Sequence, residues 1–307
     1  MLRFLIRRLL WMIPVLWLVG TVTFFLMHAA PGSPWDARAG ARNISPQLEA
    51  SFNRKYGLDE PLLVQYLVYW KNAARFDFGQ SYSNDAQTVT ERILLGFPYS
   101  ARIGVMALIL ALVVGVTLGI LAALKHNTWI DVVSLFFATV GYTVPSFVFG
   151  IFLIVIFSVR LGWVPVLWTD WRNYFMPVVV LGLGTAAFLA RLARASVLEI
   201  VRQDYVRTAR AKGLRENTVT LRHIVRNALI PIVTVTGPAL AALITGTIII
   251  ERVFGVPGMG FLFIQSISAR DYPVIMGTTL FYTFFVVIGN LLVDVSYSLV
   301  DPRIKTG

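Results

Sequence analysis

Six long apolar runs constrain this chain more than any other feature: residues 9–27, 103–124, 132–159, 174–190, 230–250 and 274–292. A bilayer core of about 30 Å takes roughly 20 apolar residues in helical form. Six runs of that order in 307 residues identify lipid as the solvent. Composition agrees, since 14% of the residues are charged against about 25% in a typical soluble domain. Backbone polar groups in hydrocarbon must be satisfied within their own segment, so each run is expected to be a helix. The reading is an all-α integral membrane protein with six transmembrane helices.

The runs differ in detail. Residues 132–159 are interrupted by Gly141-Tyr142-Thr143-Val144-Pro145, where a proline predicts a kink. Residues 174–190 are short and carry Gly182 and Gly184, which suits close approach of another helix. The first run follows Arg3, Arg7 and Arg8 and exceeds the roughly 7–15 apolar residues of a cleaved signal. His28-Ala29-Ala30-Pro31 is also a poor cleavage site, so this span is expected to be retained.

The net charge of +11 would suggest a nucleic-acid partner in a soluble protein, but its distribution points elsewhere. With the N-terminus inside, Lys and Arg gather in the inner segments while most acidic residues fall outside. Six spans with both termini cytoplasmic is the consistent arrangement. It divides the chain into a first helix with a basic N-terminus (1–30), an extracytoplasmic loop between helices 1 and 2 (31–98), a five-helix core (99–300) and a tail (301–307). The core contains a cytoplasmic loop, 191–230. The outer loop is too long for a simple connection. Within 61–76, Leu62, Leu63, Tyr66, Leu67, Trp70 and Ala74 recur at helical spacing. This helix either lies on the membrane surface, capping the fold, or helps dock an external partner.

Several chemistries are missing. Cysteine is absent, so there is neither a disulfide framework nor a thiolate site. No lysine sits in G-x-x-x-x-G-K-[ST]; Lys305 precedes Thr306 but follows Ile304. His28, His126 and His223 form no H-E-x-x-H and read as polar interfacial residues. Neither G-x-S-G nor G-x-G-D occurs, which argues against an intramembrane protease. The polypeptide is not expected to be an enzyme, nor to hold a metal or cofactor.

The informative segment is the loop 191–230. By composition alone it is a basic inner loop able to hold anionic lipid. Asp204 can cap a helix and Gly213 can end it. Between and beside them, Tyr205, Val206, Ala209 and Leu214 alternate with Arg207, Arg210 and Lys212. Such a short amphipathic helix can lie along a membrane or enter a groove of another protein.

The residue order is more specific. Asp204-Tyr205-x-x-x-Ala209-x-Ala211-x-Gly213, followed by Asn227 and by Pro231 at the start of the next run, closely resembles the coupling-loop signature of ABC importer membrane subunits. Asp204 stands where the usual wording of that motif has Glu. The resemblance covers nearly the whole chain and narrows to the B-type permease subunit of the dipeptide/oligopeptide/nickel family. It is carried by Arg7-Arg8-Leu9-Leu10 with Pro14, by Pro31-Gly32-Ser33-Pro34, by Tyr56-Gly57-Leu58-Asp59-Glu60-Pro61 and by Asp77-Phe78-Gly79. Further on, the stretch from Glu251-Arg252-Val253-Phe254 to Gly260, Asp271-Tyr272-Pro273 and Asp301-Pro302-Arg303 are similar to that subgroup too.

The resemblance implies a type I importer transmembrane domain working by alternating access. Its partners would be a second homologous permease, one or two ATPase subunits that carry the ATP and Mg, an extracytoplasmic solute-binding protein and membrane lipid, with no nucleic acid. The coupling set would be Asp204, Tyr205, Arg207, Ala209, Arg210, Lys212, Gly213, Leu214, Asn227 and Pro231, with the three basic residues meeting acidic groups on the ATPase. The Gly- and Pro-rich turn after the fifth run offers Glu251, Pro257, Gly258 and Gly260 as an outer gate or docking loop, or as a structural re-entrant turn. Peptides are the expected solute; nickel chelates, glutathione and oligosaccharides stay open. A stand-alone six-span channel or transporter is the alternative of a different class, although it has no use for the 204–231 pattern. Among polar groups near spans, Asp294 is expected to find a structural partner, and Arg102, Arg160 and Arg252 to snorkel at outer ends. Thr143, Thr245, Thr247 and Asn290 line a pore or serve helix packing.

Overall fold

The computed structural model describes residues 2–32, 34, 46–84, 86–245 and 248–300. Those residues are helical apart from turns and one isolated bridge, Gln80 with Thr88. Two units emerge, one of residues 100–256 with 286–307 and the other of 2–99 with 257–285. Four helices are long and apolar enough to cross a membrane, and up to seven spans result if each bent helix pair counts as one. The expected count of six falls within that range.

In the second unit, α1 (Leu2–Ala29) leaves much of its apolar surface exposed, as a lipid-facing helix should. Then come α2 (Pro46–Tyr56) and α3 (Leu62–Ala73), the latter where helical spacing predicts a helix. The aromatic face of α3 meets α1: Tyr66 Oη and Thr21 Oγ1 lie 2.8 Å apart, and a Cβ on Gly20 would stand 2.7 Å from the Trp70 ring. Leu63 and Leu67 point outward and stay exposed. The hairpin after α3 is pinned by Asp271, a fully buried carboxylate. It accepts from the backbone N–H groups of Tyr82 and Ser83 at 3.0 Å and from the hydroxyls of Ser81 and Ser83 at 2.5 and 2.6 Å. Four donors with Arg92 at 3.7 Å satisfy a charge that would otherwise be costly to bury.

The second span differs from expectation. The apolar run begins at Ile103, whereas α4 already starts at Val89 and extends to Leu124. Pro98 is accommodated inside it, and Ser100 is buried with its hydroxyl donating to Glu251 at 2.7 Å. A π-helical turn at Leu112–Val116 interrupts α4.

The third run bends where the proline predicts a kink, and by 100°: it forms two helices, α5 (Trp129–Thr143) and α6 (Ser146–Arg160). Val144 takes an extended conformation, φ −71° and ψ 123°, because the ring of Pro145 disfavours helical backbone in the residue before it. The fourth run becomes α7 (Phe175–Val201), which continues past the expected end at 190 with Arg191 and Arg194 inside the helix.

Then come α8 (Asp204–Ala211) and α9 (Glu216–Ala228), the latter bent by 43° from α10 (Ile230–Thr245). The fifth expected span is covered by α10 and by the start of α11 (Ile248–Phe254); Thr247 lies outside the described residues. α12 (Met259–Ser268) and α13 (Tyr272–Val300) follow, the last containing the sixth expected span. The Asp294 side chain and residues 301–307 lie outside the described set. The hydroxyls of Thr143 and Thr245 each donate to a carbonyl four residues earlier, so both are satisfied within their own helices.

The axis of the first unit is the packing of α4 on α7. A Cβ on Gly115 would stand 2.5 Å from the Ala186 carbonyl oxygen, and one on Gly119 would overlap the Ala190 carbonyl oxygen and lie 2.7 Å from Ala193 Cβ. Small residues on both helices permit this approach. Gly184, by contrast, has open space around it. Gly119→Val should therefore cost roughly 1–3 kcal/mol through overpacking, and Gly184→Ala almost nothing. Thermal unfolding of the two purified variants checks the difference.

Candidate functional site

The segment between α7 and α10 folds as the sequence suggests, with one adjustment at each end. Gln203, not Asp204, occupies the N-cap position with extended backbone, and no side chain caps the helix. Asp204 becomes the first helical residue, where its carboxylate favours the positive end of the helix dipole and lies 3.8 Å from Arg207. At the other end Gly213 has φ +74°. Its N–H donates to Arg210 O at 2.9 Å, and the Leu214 N–H donates to Ala209 O at 3.4 Å. That pair of bonds is the Schellman stop, and its left-handed residue is a glycine because other side chains are strained there.

The helix has two unlike faces. Val206 is fully buried and Ala209 nearly so, packed with Ala123 of α4, Val197 of α7, and Val219, Ile224 and Ala228 of α9. Asp204, Tyr205, Arg207, Arg210, Lys212 and Leu214 are exposed. A clamp ties the first turn to α9: Asn227 Nδ2 donates to Tyr205 Oη at 3.1 Å and to His223 O at 2.8 Å, while Tyr205 Oη donates to His223 O at 3.4 Å. The structure thus joins two residues, Tyr205 and Asn227, that lie far apart in the motif. A π-helical stretch at Val219–Val225 widens α9 where it turns its buried residues inward. Pro231 is the second residue of α10, a position near the helix start that loses little from lacking an N–H.

Electrostatics sort the basic residues. Arg210 is engaged within this chain, its Nη2 lying 2.6 Å from Glu216 Oε1. The guanidinium holds the Glu216 carboxyl below its ordinary value, and the carboxylate raises Arg210 in return. Arg207 and Lys212 project outward.

Sequence reasoning missed a second cluster beside this loop. Asp131, near the start of α5, is buried and forms a two-pronged pair with Arg194 of α7: Nε to Oδ1 at 2.6 Å and Nη2 to Oδ2 at 2.8 Å. His126 Nδ1 lies 3.0 Å from Oδ2, and the Asn127 N–H donates to the same oxygen at 3.1 Å. Asp131 thereby holds the connection between α4 and α5 against α7. The available signal was an acidic residue one position before an apolar run, with an arginine inside the next helix.

The turn from Glu251 to Gly260 is more buried than a docking loop would be. In the first unit Glu251 is fully buried in α11, and Gly255 turns the chain with φ +62°. In the second unit Gly258 and Gly260 are buried while Pro257 is exposed; a Cβ on Gly96 would come 3.2 Å from the Gly258 carbonyl carbon. Among the described residues no group of three or more His, Asp or Glu could hold a metal.

Long lipid-compatible helices, with a short two-faced helix between α7 and α10, describe a helical membrane protein. The binding-protein-dependent transport system inner membrane component model matches residues 115–306, and the companion N-terminal model of such membrane components matches 1–120. The dipeptide transport system permease protein DppB of Bacillus subtilis is 41% identical over 99% of this chain and 98% of its own length. The oligopeptide permease protein OppB of Haemophilus influenzae is 40% identical over 99% and 100%, and the glutathione permease protein GsiC of Shigella flexneri 39% identical over 99% of each. An inward-facing structure of the MetNI methionine ABC transporter superposes with a TM-score of 0.58 at 17% identity, covering 68% of this chain and 96% of that one. The chain belongs to the family of binding-protein-dependent transport system inner membrane components, as a type I permease subunit of an ABC importer. It is a multi-pass inner-membrane protein, and in this family ATP is hydrolysed by separate subunits.

Removing Arg194 takes the two-pronged cationic partner from a buried carboxylate. Arg194→Ala should destabilise the protein by roughly 3–5 kcal/mol, whereas Arg210→Ala, which breaks an exposed pair, should leave the unfolding midpoint unchanged within error. Thermal unfolding in detergent separates the two.

Proposed function

We propose that this chain is one of two pore-forming permeases of a peptide importer, moving di- or oligopeptides inward by alternating access. Relatives named for dipeptide and oligopeptide transport, at 39–41% identity over nearly their whole length, support the solute class. A glutathione permease relative of similar identity supports a second reading, in which the solute is that modified tripeptide. A solute-binding protein delivers the cargo from outside, both chain termini are cytoplasmic, and 31–98 is the outer loop. Partner ATPases bind ATP and Mg and drive the cycle.

The observation that carries the reading is the two-faced helix Asp204–Ala211. Val206 and Ala209 are buried in this chain's own core, so they support the helix rather than touch a partner. Tyr205, Arg207, Lys212 and Leu214 form the exposed face offered to the ATPase cleft, with Asp204 and Gly213 setting the helix ends. Asn227 holds Tyr205 in place, Pro231 starts the span that would move with it, and Arg210 stiffens the loop through Glu216. Closure of the ATPases on nucleotide would displace this helix as a rigid element and bias the pore between its two states. The turn from Glu251 to Gly260, with Pro257 exposed, is the outer gate.

The test is uptake in cells or vesicles carrying the full transporter. Leu214→Asp and Arg207→Glu should each reduce ATP-driven uptake at least about tenfold, the scale of a lost interface hot spot, with normal amounts of chain in the membrane. Gly213→Val should do the same by straining the left-handed turn. Val206→Asp should instead lower the amount of folded protein. Unchanged uptake in both surface variants, or purification of the chain without an ATPase subunit, refutes the coupling role.

A further inference from the structure

The second unit contains a cavity of about 220 Å³ between the end of α1, the turn before α3, the hairpin after it and the start of α13. Its walls include six aromatic rings, Phe24, Tyr56, Tyr69, Phe78, Tyr82 and Tyr272, and two carboxylate residues, Glu60 and Asp77. Among the described residues neither Lys nor Arg lines it, although the chain carries 27 of them and a net charge of +11. Two wall residues also hold buried polar atoms without a hydrogen-bond partner, His28 Nε2 and Tyr69 Oη. The His28 atom has a definite chemical sense. Its Nδ1 lies 2.8 Å from the Phe24 carbonyl oxygen, which can only accept, so Nδ1 carries hydrogen and Nε2 of the neutral ring is an acceptor.

Buried polar atoms are nearly always paired in native proteins, so orphans lining a cavity mark a missing partner. The occupant must bring a donor for Nε2 and a group for the Tyr69 hydroxyl. The rest of the wall specifies its charge, because aromatic faces and carboxylates both favour a cation. The same aromatic cluster already receives one from this chain, since Lys55 Nζ lies 5.1 Å from the centre of the Tyr56 ring. Asp77 keeps one oxygen on the Gly79 N–H at 2.9 Å, which fixes its carboxylate at the cavity wall.

We propose that this cavity is a binding site for a small organic cation, an ammonium group on a short apolar stem. The ammonium donates to His28 Nε2, to the Tyr69 hydroxyl oxygen and to a carboxylate of Asp77 or Glu60, and the stem lies among the tyrosine and phenylalanine rings. A free amine and the side chain of a lysine on an external polypeptide present the same group. The site is separate from the coupling loop, and it stands or falls independently of the importer reading.

Calorimetric titration of the full-length chain in lipid nanodiscs tests it, with n-butylammonium against n-butanol as a neutral counterpart. Saturable one-to-one binding of the ammonium, with none of the alcohol, is the expected result. Glu60→Gln with Asp77→Asn, both exposed positions, should weaken binding at least about tenfold, and Tyr69→Phe several-fold. Unchanged thermal unfolding midpoints show that the variants remain folded. A Gly-Lys-Gly amide that binds more tightly than butylammonium identifies a polypeptide source, and the reverse order a free amine; both orders support the site. Equal binding of the alcohol would reduce the cavity to an apolar void. Absence of saturable ammonium binding would mean that trapped water serves the two orphaned atoms. Affinity indifferent to loss of the carboxylates would likewise overturn the proposal.

Discussion

The close approach of α4 to α7 is the constraint on which the first unit depends. Lipid gives apolar helices little reason to separate from solvent and join each other, so association rests on shape, and shape on small residues. Gly115 and Gly119 on one helix and Ala186, Ala190 and Ala193 on the other bring backbone within van der Waals reach of backbone. The same contact continues to the end of α7, where Ala123 and Val197 form the floor beneath Val206 and Ala209. The short helix α8 therefore rests directly on the helices that organise the unit. A push on α8 meets packed side chains rather than a floppy loop, and close-packed interiors transmit displacement rather than absorb it.

Polar contacts fix what packing leaves free. Asp131 and Arg194 lock the α4–α5 connection to α7 in a fork geometry that only arginine provides. Tyr205, Asn227 and the His223 carbonyl lock α8 to α9. Asp271 does the equivalent work in the second unit by gathering donors from three consecutive residues, 81–83. Each fastening joins segments distant in sequence, and each uses a carboxylate or phenol placed where a backbone donor or acceptor would otherwise be left over.

Much of this was legible in the sequence. Apolar length announced helices in lipid; the spacing of Leu62, Tyr66 and Trp70 announced α3; Gly213 announced the end of α8. What escaped had physical reasons. Pro98 reads as a helix boundary, yet α4 passes through it, because a proline deprives a helix of one donor and neighbours can make good the loss. Pro145 reads as a kink, yet the chain turns through 100°, because the residue before proline left the helical region altogether. The 204–214 pattern announced a short helix but not the direction of each side chain. Ala209 and Tyr205 both belong to the motif, but one is buried and the other exposed, a distinction that depends on where α4 and α9 lie. Asp131 and Arg194 are 63 residues apart and no local pattern couples them.

Burial also changes what the motif residues are taken to do. A small motif residue such as Ala209 is easily assigned to a partner interface, yet its side chain fills space between this chain's own helices. On the proposed reading, then, the recognition surface consists of Tyr205, Arg207, Lys212 and Leu214, and the alanines set how closely that surface is held to the permease body. The distinction matters for coupling. A contact residue governs whether the ATPase binds, whereas a packing residue governs whether its movement reaches α7 and α10. The two kinds alternate along the helix and the turn that follows it because a helix presents its opposite faces every second or third position. On that reading one short amphipathic helix both meets a partner and anchors in the permease, and the link between those tasks is the rigidity of its own backbone.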